Sequence, residues 1–121
     1  MKKILLALAV LLSSQTLAFA QLPGPSTWTN QHGSVLKVTS LSRGTFRGTF
    51  TNQNPDFGCQ GIPYPVTGTN FSVQIRFTVN LAKCGSVVNW QGDVSGFGMS
   101  TPWILRRKGV TTTGFDFFGG S

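Results

Sequence analysis

The run from Phe71 to Val79 constrains the fold more than any other stretch. Phe71, Val73, Ile75, Phe77 and Val79 are apolar, and the residues between them are Ser72, Gln74, Arg76 and Thr78. Alternation of this kind puts one side-chain set on each face of an extended chain, so it predicts a strand with one packed and one wet face. Residues 35–39, 45–50, 87–94 and 101–106 carry shorter versions of the pattern, and 111–118 completes the series. No segment after residue 20 carries a helical period, so the fold class read here is all-β. Short breaks such as Ser42-Arg43-Gly44 and Thr69-Asn70 suit hairpins between antiparallel neighbours. Such a chain must bury its edges or close on itself, and an up-and-down barrel is the simplest closure.

The first twenty residues divide into Lys2-Lys3, an apolar run from Ile4 to Leu12, and a small-x-small site at Ala18-Phe19-Ala20. This is the pattern of a secretory signal peptide over residues 1–20, leaving residues 21–121 as one domain with one core. No later segment approaches a membrane span, so no membrane partner is expected after its removal. Loss of Lys2 and Lys3 lowers the net charge from +7 to +5. Apart from Arg106-Arg107-Lys108 the cations are dispersed, and an exported protein meets little nucleic acid. The charge therefore reads as solubility or loose surface adhesion.

Export into an oxidising compartment makes a disulfide between Cys59 and Cys84 the default expectation, worth about 3 kcal/mol on the chain-entropy model. His32 is the only histidine, so no metal cluster is expected. The acidic residues are Asp56, Asp93 and Asp116, with no glutamate, and no acid/base pair or triad stands out; the chain is not read as an enzyme. Residues 51–62 crowd Asn52, Asn54, Pro55, Asp56, Gly58 and Gly61 together and read as a loop.

Several motifs, in order, carry a resemblance. They are Trp28-Thr29-Asn30-Gln31-His32-Gly33-Ser34, Gly48-Thr49-Phe50, the stretch Pro63 to Gly68, Trp90-Gln91-Gly92, Thr101-Pro102-Trp103-Ile104-Leu105, and Gly114-Phe115-Asp116-Phe117-Phe118. In this series the chain resembles the avidin and streptavidin family over roughly Trp28 to Phe118, and most of all the short, disulfide-containing bacterial avidins of the dimeric type. The resemblance implies an eight-stranded antiparallel up-and-down β-barrel that holds biotin in its mouth without catalysis, secreted or periplasmic in a bacterium. It also implies a loop after the third strand that folds over the mouth, which Cys59 would tether to the Lys83-Cys84-Gly85 turn.

Biotin presents a urea, an apolar thioether ring and an acid tail, so its site needs donors, acceptors and aromatic walls together. By resemblance, Asn30 and Ser34 donate to the urea oxygen, and Asp116 accepts from one urea N–H. Asn52 can accept from the other. Trp90 and Trp103 wall the thioether ring, and Ser86 reaches the acid tail. Among bland readings, Asn30 is a turn residue, Ser34 a strand serine, Asp116 a loop-end aspartate and each tryptophan a core residue.

Three positions depart from the family pattern. Phe50 replaces a tyrosine donor, Leu81 a tryptophan wall, and Val88 a threonine that meets the ring sulfur. A lost donor in a dry site costs roughly 1–3 kcal/mol, and a lost aromatic wall up to about 3 kcal/mol, so weakened biotin binding is expected. The stretch between Arg106 and Phe115 lacks the tryptophan that reaches a neighbouring subunit in tetrameric members, so a homo-oligomer, with a dimer favoured over a tetramer, is expected. Two other readings remain open: a barrel of this family that takes another small cyclic urea or amide, and a secreted interaction or inhibitor barrel using Arg106-Arg107-Lys108.

Overall fold

Arg43 and Gly44 both adopt left-handed backbone, with φ of 52° and 80°, and so do Lys108 and Gly109, at 48° and 76°. Two consecutive residues of positive φ make a tight turn whose twist matches that of antiparallel strands. These turns belong to a computed structural model of the chain that describes residues 22–96 and 98–120. The signal peptide read over residues 1–20 lies outside the described residues.

Eight strands follow one another: β1 (Ser26–Thr29), β2 (Val35–Ser42), β3 (Thr45–Thr51), β4 (Pro63–Phe71), β5 (Gln74–Leu81), β6 (Ser86–Val94), β7 (Gly98–Arg107) and β8 (Val110–Gly120). Each pairs antiparallel with its sequence neighbours, and β1 closes on β8 through Trp28↔Gly120 and Thr29↔Gly119. The expected closed eight-stranded barrel is therefore present, with no free sheet edge.

The Phe71–Val79 reading needs correction. Ser72 takes φ of 55°, so the chain turns there, and the single strand is two strands joined by Ser72-Val73. Ile75, Phe77 and Val79 do face the core, whereas Phe71 is 80 % exposed. Thr69-Asn70 is not the hairpin turn either, because both residues lie inside β4. Asn70 closes the real turn from within: its Nδ2 donates to the carbonyls of Ser72 and Gln74, at 3.1 and 2.9 Å.

Strand β4 was hidden by Pro63 and Pro65, which cannot donate to a ladder. The structure tolerates them because β4 pairs with β5 only from Val66 onward, and the prolines lie beyond that pairing, facing outward. Tyr64, Val66 and Asn70 alternate with them and point inward.

The interior is filled by Leu36, Phe46, Phe77, Met99 and Phe118, all nearly inaccessible. At the end where β4 meets β5, Leu22 is buried and donates its N–H to Asn70 Oδ1 at 2.8 Å, plugging the base. The opposite end carries the β1–β2, β3–β4, β5–β6 and β7–β8 connections. Gly92 is required where β6 and β7 converge, since a Cβ there would stand 1.9 Å from the Ser100 carbonyl oxygen. With the base closed, a ligand has one end to enter.

Candidate functional site

Strand alternation puts Trp90 of β6 and Asp116 of β8 on the inner face, at a depth where both are about 4 % exposed. The Trp90 indole N–H donates to Asp116 Oδ2 at 2.8 Å, and the Gln31 amide donates to Oδ1 at 3.2 Å. A buried carboxylate is tolerated only where donors hold it, and these two do so. No cation is paired with Asp116 among the described residues, so its oxygens keep acceptor capacity toward the barrel interior. Gln31 also bridges the strand end, donating to the Phe115 carbonyl at 2.8 Å and accepting from the Phe117 N–H at 2.9 Å. It supplies side-chain bonds just past the point where β1 and β8 stop pairing.

The turn after β1 is built by Asn30. Its Oδ1 accepts from the backbone N–H groups of His32 and Ser34, at 3.0 and 2.9 Å, and Gly33 takes the positive φ the turn needs. With the oxygen so used, the Asn30 Nδ2 is the group left to face the cavity that the residue lines.

Ser34 and Asn52 meet each other. The Ser34 hydroxyl accepts from the Gln53 N–H at 2.7 Å and donates to Asn52 Oδ1 at 3.4 Å. Asn52 Oδ1 also accepts from the Asn54 N–H at 3.1 Å, while its Nδ2 donates to the Gly58 carbonyl at 3.0 Å. Both lone pairs of that oxygen are thus engaged, one of them by a long bond. Asn52 consequently organises the loop at the same time as it lines the cavity.

The walls are aromatic and aliphatic. Trp90 stacks on Phe77 with centroids 4.7 Å apart and 13° between planes, and Phe50 lies 4.7 Å from it at a tilt. Phe50, Leu81, Val88, Trp90, Trp103 and Asp116 all border one cavity, which opens to solvent at the mouth. Ser34 and Ser86 are buried and are not among its lining residues, but Ser34 meets the lining directly through its bond to Asn52 Oδ1. Ser86 stands at the first residue of β6, across from Leu81 and Arg107.

Four further residues line the cavity that sequence reasoning left out: His32, Asn54, Phe57 and Leu105. Phe57 comes from the long β3–β4 loop and meets Trp103 edge to face at 5.6 Å. Leu105 had a usable signal, two residues after Trp103 on the same strand face. Phe57 had none, because its neighbour is distant in sequence.

The loop is fixed over the mouth by the Cys59–Cys84 disulfide, whose Cα atoms are 6.0 Å apart. Its second anchor is the short 3-10 turn Ala82–Cys84. The Tyr64 hydroxyl accepts from the Lys83 N–H at 3.3 Å and donates to Cys59 Sγ at 3.4 Å, reinforcing the junction. No cluster of metal-ligating side chains is present among the described residues.

Comparison with known proteins places this architecture. The avidin family model matches residues 20–115. Afifavidin of Afifella pfennigii is 36 % identical over 95 residues, a stretch covering 72 % of this chain and 60 % of that protein. Hoefavidin of Hoeflea phototrophica is 34 % identical over 100 residues, covering 69 % and 61 %. The matched stretch thus spans about three fifths of the length of these two curated relatives. Among solved structures, the bradavidin2–biotin complex superposes with a TM-score of 0.78 at 41 % identity, covering 83 % of this chain and 99 % of that one. Fold, disulfide, motif order and relatives agree: the chain belongs to the avidin family.

Proposed function

We propose that the chain is an exported, non-catalytic biotin-binding protein that sequesters the vitamin in the barrel mouth. The observation that carries this reading is the convergence of Asp116, Asn30, Asn52, Trp90 and Trp103 on one cavity closed at its base. A urea needs acceptors for its two N–H groups and donors for its oxygen, set between apolar walls. Asp116 supplies one acceptor and Asn30 Nδ2 one donor. Ser34 and Asn52 supply the rest by an exchange: when the Ser34 hydroxyl turns to the ligand oxygen, its long bond to Asn52 Oδ1 breaks and frees that oxygen for the second N–H. Trp90 and Trp103 flank the ring.

Residues 1–20 serve as the leader, and the disulfide supports a secreted or periplasmic destination. Ile104, Phe115 and Phe117 are exposed on the outer face of β7 and β8, which supports a homo-oligomer, a dimer in our reading, assembled through that face.

Titration calorimetry of the oxidised chain with biotin tests the reading directly. Heat with one site per barrel and nanomolar or tighter affinity supports it. No heat from a demonstrably folded protein overturns it and moves the ligand to another cyclic urea or amide.

The affinity is lower than a full donor set would give, because Phe50 brings no hydroxyl to the urea oxygen. Phe50→Tyr, placed against Trp90, is expected to tighten biotin by about 1 kcal/mol, or roughly fivefold. The same calorimetry checks this; an unchanged or weaker affinity would show that the hydroxyl finds no ligand acceptor.

A further inference from the structure

The outer wall formed by β2, β3, β4 and β5 carries cations with no anion among them. Alternate residues of these strands point away from the core, and three of the cross-strand pairs they make are Lys37↔Thr49, Arg47↔Thr67 and Thr69↔Arg76. All of these residues are exposed except Thr49, which is half-buried. Neighbouring strands lie about 4.8 Å apart and in-phase residues of one strand about 7 Å, so the Arg47 backbone stands roughly 8 Å from Lys37 and roughly 12 Å from Arg76. The charges are therefore sparse and spread over a broad surface.

Asp116 lies inside the barrel and Asp56 in the β3–β4 loop. Asp93, opposite Gln74 on the next strand, β6, forms no ion pair among the described residues. Arg76 borders a shallow groove with Thr45, Thr67, Thr69 and Thr78. The Thr78 hydroxyl donates to Asn89 Oδ1, whereas those of Thr45, Thr67 and Thr69 bond to no other described residue. A guanidinium beside unengaged hydroxyls fits a carboxylate carried on a hydroxyl-rich chain. A membrane surface asks instead for apolar side chains to insert, and a single-stranded nucleic acid for aromatic rings on which bases stack. The middle of the wall offers neither, since Phe71 stands at the far end of β4.

We propose that this wall docks the protein on an acidic polysaccharide outside the cell, holding the barrel in place by its side while the mouth stays open at its end. The proposal rests on the export read above and is independent of the ligand in the barrel. In the closed ring of strands, β3 and β4 lie half a circuit from β7 and β8, which carry the exposed Ile104, Phe115 and Phe117 of the proposed dimer face. A dimer built there turns two cationic walls outward, one on each side. Each wall alone binds weakly, because salt screens exposed charges, and the second gains from the effective concentration set by the first.

The test measures binding of the oxidised chain to immobilised polygalacturonate at low salt, with neutral dextran, duplex DNA and anionic lipid vesicles as comparators. Micromolar binding to polygalacturonate that weakens as salt rises, with none to dextran, is expected. Replacing Lys37, Arg47 and Arg76 together by glutamine should weaken it at least about tenfold and leave the melting temperature and biotin affinity unchanged. Arg76→Gln alone, at the edge of the groove, should cost about threefold. Replacing Arg106, Arg107 and Lys108 by glutamine removes as much charge from the end of β7 and its turn, and should cost less than about twofold. An equal loss in the two triple variants overturns the proposal and reduces the attraction to net charge. No binding to polygalacturonate, or tighter binding to DNA or vesicles, overturns it as well, and neither result touches the biotin reading.

Discussion

Asp116→Ala is expected to weaken biotin binding by about a hundredfold, measured by titration calorimetry. The carboxylate is the one anionic group at the cavity floor, and a hydrogen bond to a charged acceptor in a dry site is stronger than one between neutral groups. Removing it also leaves the Trp90 indole N–H and the Gln31 amide without their acceptor, so the wall behind the ligand loses its hold.

The stability of the free protein should respond much less. Burial of a carboxylate without a paired cation is costly, and deletion relieves that cost while removing two hydrogen bonds; the two effects oppose. A thermal melt of the unliganded variant therefore separates the roles. A large drop in affinity with a small shift in melting temperature marks a binding group. Equal affinity for biotin in a folded Asp116→Ala protein would remove Asp116 from the site, and a collapse of the fold would make it a structural residue. Asp116→Asn, which keeps the volume and one acceptor oxygen, should lie between the extremes.

The barrel was legible in the sequence because its inner and outer faces differ in polarity along most strands, as in Ile75, Phe77 and Val79 against Arg76 and Thr78. It was least legible where a turn imitates a strand. Phe71, Ser72 and Val73 continue the alternation without interruption, and only the left-handed backbone at Ser72 ends it. Serine gives little warning of that conformation, whereas Arg43-Gly44 ends in a glycine and was readable. Asn70 misled for the opposite reason: its turn-forming side chain acts from inside a strand.

The cavity followed the same division. Asp116, Asn30 and the tryptophans were readable because charged, amide and indole groups in an apolar setting ask for partners. That Asn52 would spend its oxygen on Ser34 and Asn54, or that Phe57 would fold against Trp103, depended on contacts between distant segments. Gln31 was passed over because it stands between two better-marked neighbours, yet it holds β8 and Asp116 together.

Replacing Cys59 and Cys84 together by serine is expected to cost about 3 kcal/mol of stability, since the bond closes a loop of moderate length in the unfolded chain. For a domain of this size that is a fall in melting temperature on the order of 15 °C. The effect on binding depends on what holds the lid. Its internal shape is set by local bonds: Asn54 Oδ1 accepts from the Asp56 N–H at 3.0 Å, and Gly61 donates to the Asn52 carbonyl at 2.9 Å. Its position over the mouth is another matter, resting on the disulfide, on Tyr64 and on the edge contact of Phe57 with Trp103. Gly58 is also cut to fit this junction, since a Cβ there would stand 2.9 Å from Cys84 Sγ.

Without the covalent tie the loop keeps its local turns and loses its register on the barrel. Biotin must then order it, at about 1 kcal/mol for each rotamer-rich side chain immobilised, and affinity should fall roughly tenfold. Calorimetry at a temperature where both proteins are folded reads this, alongside the melt. A lower melting temperature with unchanged affinity would show that the local hydrogen bonds and Phe57 suffice to place the lid, leaving the disulfide a purely structural staple. A loss in both measurements would show that one bond stabilises the barrel and also presets the mouth for its ligand.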